Sequence, residues 1–302
     1  MGALDENETA MINLPIENRQ VEPDGQRIGE ILCAMRLLTP EKVQKVLEQQ
    51  TRTGRVFGET AVEMRLVRRE DVIAALSKQF SYPYVVSRGD TPMNKELVMA
   101  NSPFSEEVEC FRNLRSELFM GVLSPADPAR PALAVVSPEI GDGKSFVLAN
   151  LAVAFSQARS RTLVIDADMR SPRLHEIFGI ENGMGLSNAL SGRSETRIIA
   201  PVSALPNLYM IPSGTLPPNP TELIHSPAFG ILMHEVIRKF DVVLVDTPAA
   251  IHGADASVIS ARAGAALVVA RKGVASVASL QRLLARLNTA KVRLAGVMMN
   301  VV

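Results

Sequence analysis

Hydrophobic positions follow two different rules along this chain. Between residues 26 and 84 they recur at helical spacing, and the sequence repeats itself at a constant offset. Gly29-Glu30 returns as Gly58-Glu59, Met35-Arg36-Leu37 as Met64-Arg65-Leu66, and Gln50 as Gln79. Each copy predicts a short helix, a tight turn and a second helix. In the first copy Thr39 suits the N-cap and Pro40 the first helical position. Val43, Val46, Leu47 and Gln50 then follow at helical spacing. Two such units can bury their apolar stripes only against each other, which predicts a small all-helical module over 26–84.

From residue 132 the rule changes. Short apolar, β-branched runs appear at 132–136, 162–165, 208–211, 242–245, 266–269 and 294–298, with helical stretches between several of them. This alternation predicts an α/β fold, a mostly parallel sheet flanked by helices on both faces. Ligands of such sheets bind outside the carboxyl ends of the strands. Prolines at 83, 92 and 103 mark a linker, placed over 85–104. Residues 1–25 are acid-rich and lack apolar periodicity, which predicts a disordered leader. The α/β domain is expected over 105–302.

Composition narrows the function classes. With 302 residues and a formal net charge of zero, the chain lacks the basic excess of nucleic-acid binders, and no nucleic-acid partner is expected. No apolar run is long enough to span a bilayer, and the acidic start is unlike a signal peptide. Cys33 and Cys110 stand far apart without a partner pattern and read as small packing residues. The chain therefore reads as cytoplasmic and soluble.

Three motifs carry the candidate chemistry. The first run of the sheet leads into Ser137-Pro-Glu-Ile-Gly141-Asp142-Gly143-Lys144-Ser145-Phe146 and then a helix. Glycines let successive backbone N–H groups face inward, and a helix N-terminus adds its positive end, so this context suits a phosphate-binding P-loop. Lys144 would neutralise phosphate charge and Ser145 would offer its hydroxyl to Mg²⁺. An ordinary Gly-rich turn, with Pro138 in place of the first glycine, is the alternative. The second run ends in Asp166-Ala167-Asp168-Met169-Arg170, where alternation puts both carboxylates on one side of the backbone. They could hold the water shell of Mg²⁺, one could accept a hydroxyl proton, or the pair could simply cap a turn. The run at 242–245 ends in Asp246, the position of the second acidic wall of a P-loop site. Three motifs in this order at strand ends favour an ATP–Mg²⁺ site.

With Asp-x-Asp-x-Arg as the second motif, the set resembles the bacterial tyrosine kinases of exopolysaccharide synthesis. The broader resemblance is to P-loop ATPases of the MinD/ParA class. Those carry an early signature lysine in the loop, where this chain has Glu139. The resemblance implies a tyrosine kinase using ATP and Mg²⁺, with Lys144, Asp166 and Asp168 catalytic and Asp166 accepting the tyrosine proton. Gly141, Asp142, Gly143, Lys144, Ser145 and Phe146 would bind nucleotide. Ser145, Asp166, Asp168 and Asp246 would serve the metal. Asn300 is an adenine contact by analogy, or a strand-end cap. Glu109, Arg112 and Arg115 match the family's Glu-x-x-Arg-x-x-Arg motif, implying a homo-oligomeric ring, although by spacing alone they read as a solvated helix face. The helical repeat resembles the MshEN module of secretion ATPases. Together with the kinase motifs it resembles the EpsG type of chain-length determinant kinase.

Partners follow from the same resemblance. A separate integral inner-membrane chain-length determinant is implied, its cytoplasmic segment acting as activator and holding the kinase peripherally at the membrane. The tyrosines are Tyr82, Tyr84 and Tyr209, and no clustered tyrosine tail is expected after Val302, so the phosphate acceptor stays open. One alternative is a non-kinase ATPase switch that oligomerises on a membrane partner. Another is a cyclic-di-GMP-responsive regulator acting through Arg27, Gly29, Gln50, Gly58 and Gln79. Val56 stands where the second repeat would carry its leading Arg, and Arg36 and Arg65 stand where the module usually has Gly.

Overall fold

The computed structural model describes residues 27–79, 94–102, 105–193, 198–203 and 205–301. These fall into two compact units, one holding 27–79 and the other 94–301. The leader expected over 1–25 lies outside the described residues, as do Tyr82 and Tyr84.

The first unit is helical: α1 (Ile28–Ala34), α2 (Pro40–Thr53), α3 (Phe57–Glu63) and α4 (Arg69–Gln79). Leu32, Val46, Phe57, Ala61, Val72 and Ala75 form its core. The internal repeat is physical as well as textual. A Cβ built on Gly29 would lie 3.0 Å from Val43, and one on Gly58 would lie 2.6 Å from Val72. Both glycines therefore let one helix approach a valine of another.

Arg36 (φ 57°) and Arg65 (φ 55°) occupy equivalent left-handed positions just past α1 and α3. Each lies in a turn closed by a 3.0 Å backbone bond that reaches back five residues, Leu37 N to Leu32 O and Leu66 N to Ala61 O. Glycine is the usual residue at such a helix end. A cation there has a compensation, because it faces the negative end of the helix dipole.

The second unit runs α5 (Val98–Asn101), α6 (Glu106–Met120), β1 (Ala132–Val136), α7 (Lys144–Gln157), β2 (Thr162–Asp166), α8 (Leu174–Phe178), α9 (Leu186–Leu190), β3 (Ala200–Pro201) and β4 (Leu208–Ile211). It continues with α10 (Pro220–His225), α11 (Pro227–Lys239), β5 (Val242–Asp246), α12 (Asp255–Ala263), β6 (Gly264–Arg271), α13 (Val277–Thr289) and β7 (Arg293–Asn300). Strand order is β3-β4-β2-β5-β1-β6-β7, parallel throughout except for the β3–β4 pair. Every predicted apolar run is a strand of this sheet, and the architecture is the expected α/β one, a mostly parallel sheet flanked by helices.

Alternation along β1 sends Ala132, Ala134 and Val136 into a core shared with Phe229 and Met233 of α11, Ile259 of α12 and Leu283 of α13. Helix α7 also packs on β1, β2 and β5, with α5 and α6 against it. Almost every residue of α7 is buried, which is why it is apolar all round and not striped.

The stretch assigned to a linker, 85–104, needs correcting at its far end. Residues 94–102 belong to the α/β unit, with Leu97, Met99 and Ala100 buried. The buried amide of Asn150 on α7 fastens them: its Oδ1 accepts from Met99 N at 3.0 Å and its Nδ2 donates to Glu96 O at 2.8 Å. Four apolar residues between polar ones are too short a signal to read from sequence.

Candidate phosphate and metal site

The loop between β1 and α7 is built for close backbone approach. Gly141 (φ 81°) and Gly143 (φ 97°) are left-handed, and a Cβ on Gly143 would lie 2.2 Å from the Asn300 amide nitrogen. Asp142 is fully buried. Its Oδ2 accepts from Glu139 N at 2.9 Å and its Oδ1 from Arg271 N at 3.3 Å. Asn300 donates from Nδ2 to Asp142 O at 3.0 Å. Asp142 and Asn300 thus brace the loop from beneath, tying it to the ends of β6 and β7. The sequence reading gave both a nucleotide-binding part and missed this bracing.

Lys144 and Ser145 open α7 at the carboxyl edge of the sheet. Asp166 and Asp246 are register partners on the adjacent strands β2 and β5, so the two carboxylates stand at the same level. Ser145 Oγ donates to Asp246 Oδ2 at 2.6 Å, and Thr247 N donates to Asp246 Oδ1 at 3.0 Å. Asp166 accepts from Asp168 N at 3.3 Å and from Leu174 N at 3.2 Å. Asp168 Oδ1 accepts from Arg170 N at 3.1 Å and Ser171 N at 3.0 Å. The structure therefore brings Lys144, Ser145, Asp166, Asp168 and Asp246 to one place, and Phe146 follows at the foot of α7, in edge contact with Phe111.

The electrostatics are unbalanced in an informative way. Burial, then the charges of Asp246 and Asp168, pushes the Asp166 carboxyl well above its ordinary value. Burial also raises Asp246, opposed by Lys144 and the Ser145 hydroxyl, and leaves it at about 6. Three buried acids share a single lysine. A divalent cation would supply the missing charge, and the donor set is hard oxygen, as Mg²⁺ prefers. Among the described residues no group of three or more His, Cys, Asp or Glu side chains is arranged to hold a metal ion by itself.

The remaining candidates lie elsewhere. Arg112 pairs with Glu109 on α6, while Arg115 donates to Ala154 O at 3.0 Å. Ala154 lies in the last turn of α7, so Arg115 satisfies a carbonyl that the helix leaves open. In the helical unit Arg27 is exposed and its N–H is capped by Glu30 at 3.1 Å. Gln50 and Gln79 are partly exposed, whereas Gly29 and Gly58 face valines.

Residues 129–302 match the ParA family, described as NUBPL iron-transfer P-loop NTPase. The chain is 31% identical to the tyrosine-protein kinase YwqD of Bacillus subtilis, over 69% of this chain and 86% of that protein. It is 37% identical to the tyrosine-protein kinase Wzc of Salmonella typhimurium, over 68% of this chain but only 28% of that longer protein. Among solved structures, the kinase domain of Escherichia coli tyrosine kinase ETK superposes with a TM-score of 0.66 at 29% identity, covering 72% of this chain and 84% of that one. The chimerical protein CapA2B2 gives 0.64 at 31% identity, covering 75% and 97%.

Proposed function

The chain belongs to the bacterial tyrosine kinases of the ParA-like P-loop class, and on that premise we propose that it transfers the γ-phosphoryl group of ATP to protein tyrosine. The observation that carries this reading is the meeting of Lys144, Ser145 and three buried carboxylates at the carboxyl ends of β1, β2 and β5. In this reading the N–H groups of the Gly141–Ser145 loop and the α7 N-terminus cradle the phosphates, and Lys144 offsets their charge. Ser145, Asp166, Asp168 and Asp246 would hold Mg²⁺, which when bound would neutralise charge on the β- and γ-phosphates. Asp166 accepts the tyrosine proton. Its raised proton affinity suits a proton acceptor. Most of the rate enhancement comes from positioning and charge.

The only tyrosine among the described residues is Tyr209, in β4, with its ring edge-on to Phe240 at 5.5 Å. A strand residue so packed is a poor acceptor, which supports an acceptor on another protein or on chain outside the described residues. By the resemblance of its motifs to the bacterial tyrosine kinases of exopolysaccharide synthesis, we assign the chain to exopolysaccharide control at the cytoplasmic face of the membrane. Its activator is then the cytoplasmic segment of an inner-membrane chain-length determinant. Among the described residues no helix is long and apolar enough to cross a membrane. Glu109, Arg112 and Arg115 are assigned to subunit contacts of a ring.

Phosphotyrosine mass spectrometry after incubation with Mg–ATP and the activator segment tests the proposal. Phosphotyrosine on this chain or its partner is expected. Steady ATP hydrolysis with no phosphotyrosine on either protein would replace the kinase by an ATPase switch.

A further inference from the structure

We propose that Arg170 is a positioning residue that fixes Asp168 for the metal by bolting its loop to two other segments, α10 and α12. The loop after β2 bends so that Asp168 Oδ1 accepts from the backbone N–H groups of Arg170 and Ser171. Those N–H groups hold the carboxylate only if the loop itself is held. The Arg170 side chain supplies that hold. Its Nε and Nη2 both donate to Asp255 Oδ2, at 2.9 and 2.8 Å, and Nη2 also donates to Thr221 Oγ1 at 3.1 Å.

Asp255 is the first residue of α12 and its side chain is 3% exposed, against 32% for Arg170. Thr221 lies in the first turn of α10. The joint is therefore between segments 51 and 85 residues apart in sequence, anchored in the core through Asp255. A charge-assisted pair buried on one side is stiff and directional. Losing a group that hydrogen-bonds a metal ligand typically changes affinity by about 10–100-fold, and the Arg170 side chain acts one step further out, so the low end applies.

The inference rests on Asp168 serving the metal, and the test separates the two. Thermal melts of the full chain with ADP, titrated with Mg²⁺, give the Mg²⁺ concentration at half-maximal shift. ADP in chelator provides the metal-free reference. For Arg170→Gln and for Asp255→Asn we expect that concentration to rise roughly tenfold, with the shift from ADP alone unchanged. The double variant should be no worse than the weaker single, because both remove one joint. Arg170→Lys, which keeps the charge, should recover part of the loss, and Thr221→Val should show a smaller one. If Asp168→Asn raises the Mg²⁺ requirement but the two joint variants do not, or if their effects multiply, the positioning role is wrong. If Asp168→Asn itself leaves the requirement unchanged, the metal assignment falls instead. Should Asp255→Asn fail to fold, Arg170→Gln and Arg170→Lys decide alone.

Discussion

The phosphate site and the helical repeat treat their special residues in opposite ways. In the repeat, Gly29 and Gly58 are consumed by packing: each leaves room for a valine, and pattern and core agree. At the carboxyl edge of the sheet the fold instead holds three acids with one lysine and raises the proton affinity of two of them. A protein tolerates such conflict where function requires it. Substitution should therefore stabilise one region and destabilise the other.

The largest effect is expected at Lys144. Lys144→Met removes the only cation among the site's buried side chains, and loss of a preorganised charge of this kind lowers kcat by at least about a hundredfold. A steady-state rate within tenfold of wild type would break the contrast. Asp246→Asn sharpens it. In metal-free, nucleotide-free protein the variant should be more stable than wild type at pH 8, by a few kcal/mol. The sign follows from the raised proton affinity. The folded state holds the proton more tightly than the unfolded one, so this stabilisation is full below about pH 4 and is lost as pH rises through about 6. The gain from Asp246→Asn should therefore shrink toward pH 5, as read from melts in chelator.

Gly58→Ala should act in the opposite direction. The added methyl meets a stiff valine at 2.6 Å, and overpacking costs about 1–3 kcal/mol against roughly 1 kcal/mol gained in helix propensity. Hydrogen exchange across α1–α4 should accelerate, and Val72→Ala in the same chain should reverse part of it. Gly29→Ala would meet Val43 at 3.0 Å, a tight contact that a small shift can relieve, and should cost less than Gly58→Ala. Arg115→Ala is expected to cost about 1 kcal/mol through the lost bond to the Ala154 carbonyl. If Arg112→Ala with Arg115→Ala also leaves the assembled mass unchanged, the ring contact is wrong.

What was legible in the sequence follows the range of each interaction. The parallel strands showed as apolar runs, and Lys144, Ser145, Asp166, Asp168 and Asp246 showed because each sits at the end of its own strand or at the head of the next helix. Strand β3 did not show, being two residues long with a proline. The bracing of the loop by Asn300 joins residues 158 apart, and the Asn150 latch reaches 51 and 54 residues back. No local pattern encodes such pairs. Arg36 and Arg65 were visible only as departures from glycine, and the helix-end geometry gives their reason.

The central claim is that these five residues form a phosphotransfer site. Wild type, Lys144→Met and Asp166→Asn should be incubated in parallel with Mg–ATP and the activator segment, and phosphotyrosine quantified on every protein present. The account predicts phosphotyrosine with wild type and none above background with either variant. Phosphotyrosine at the wild-type level in either one would contradict it.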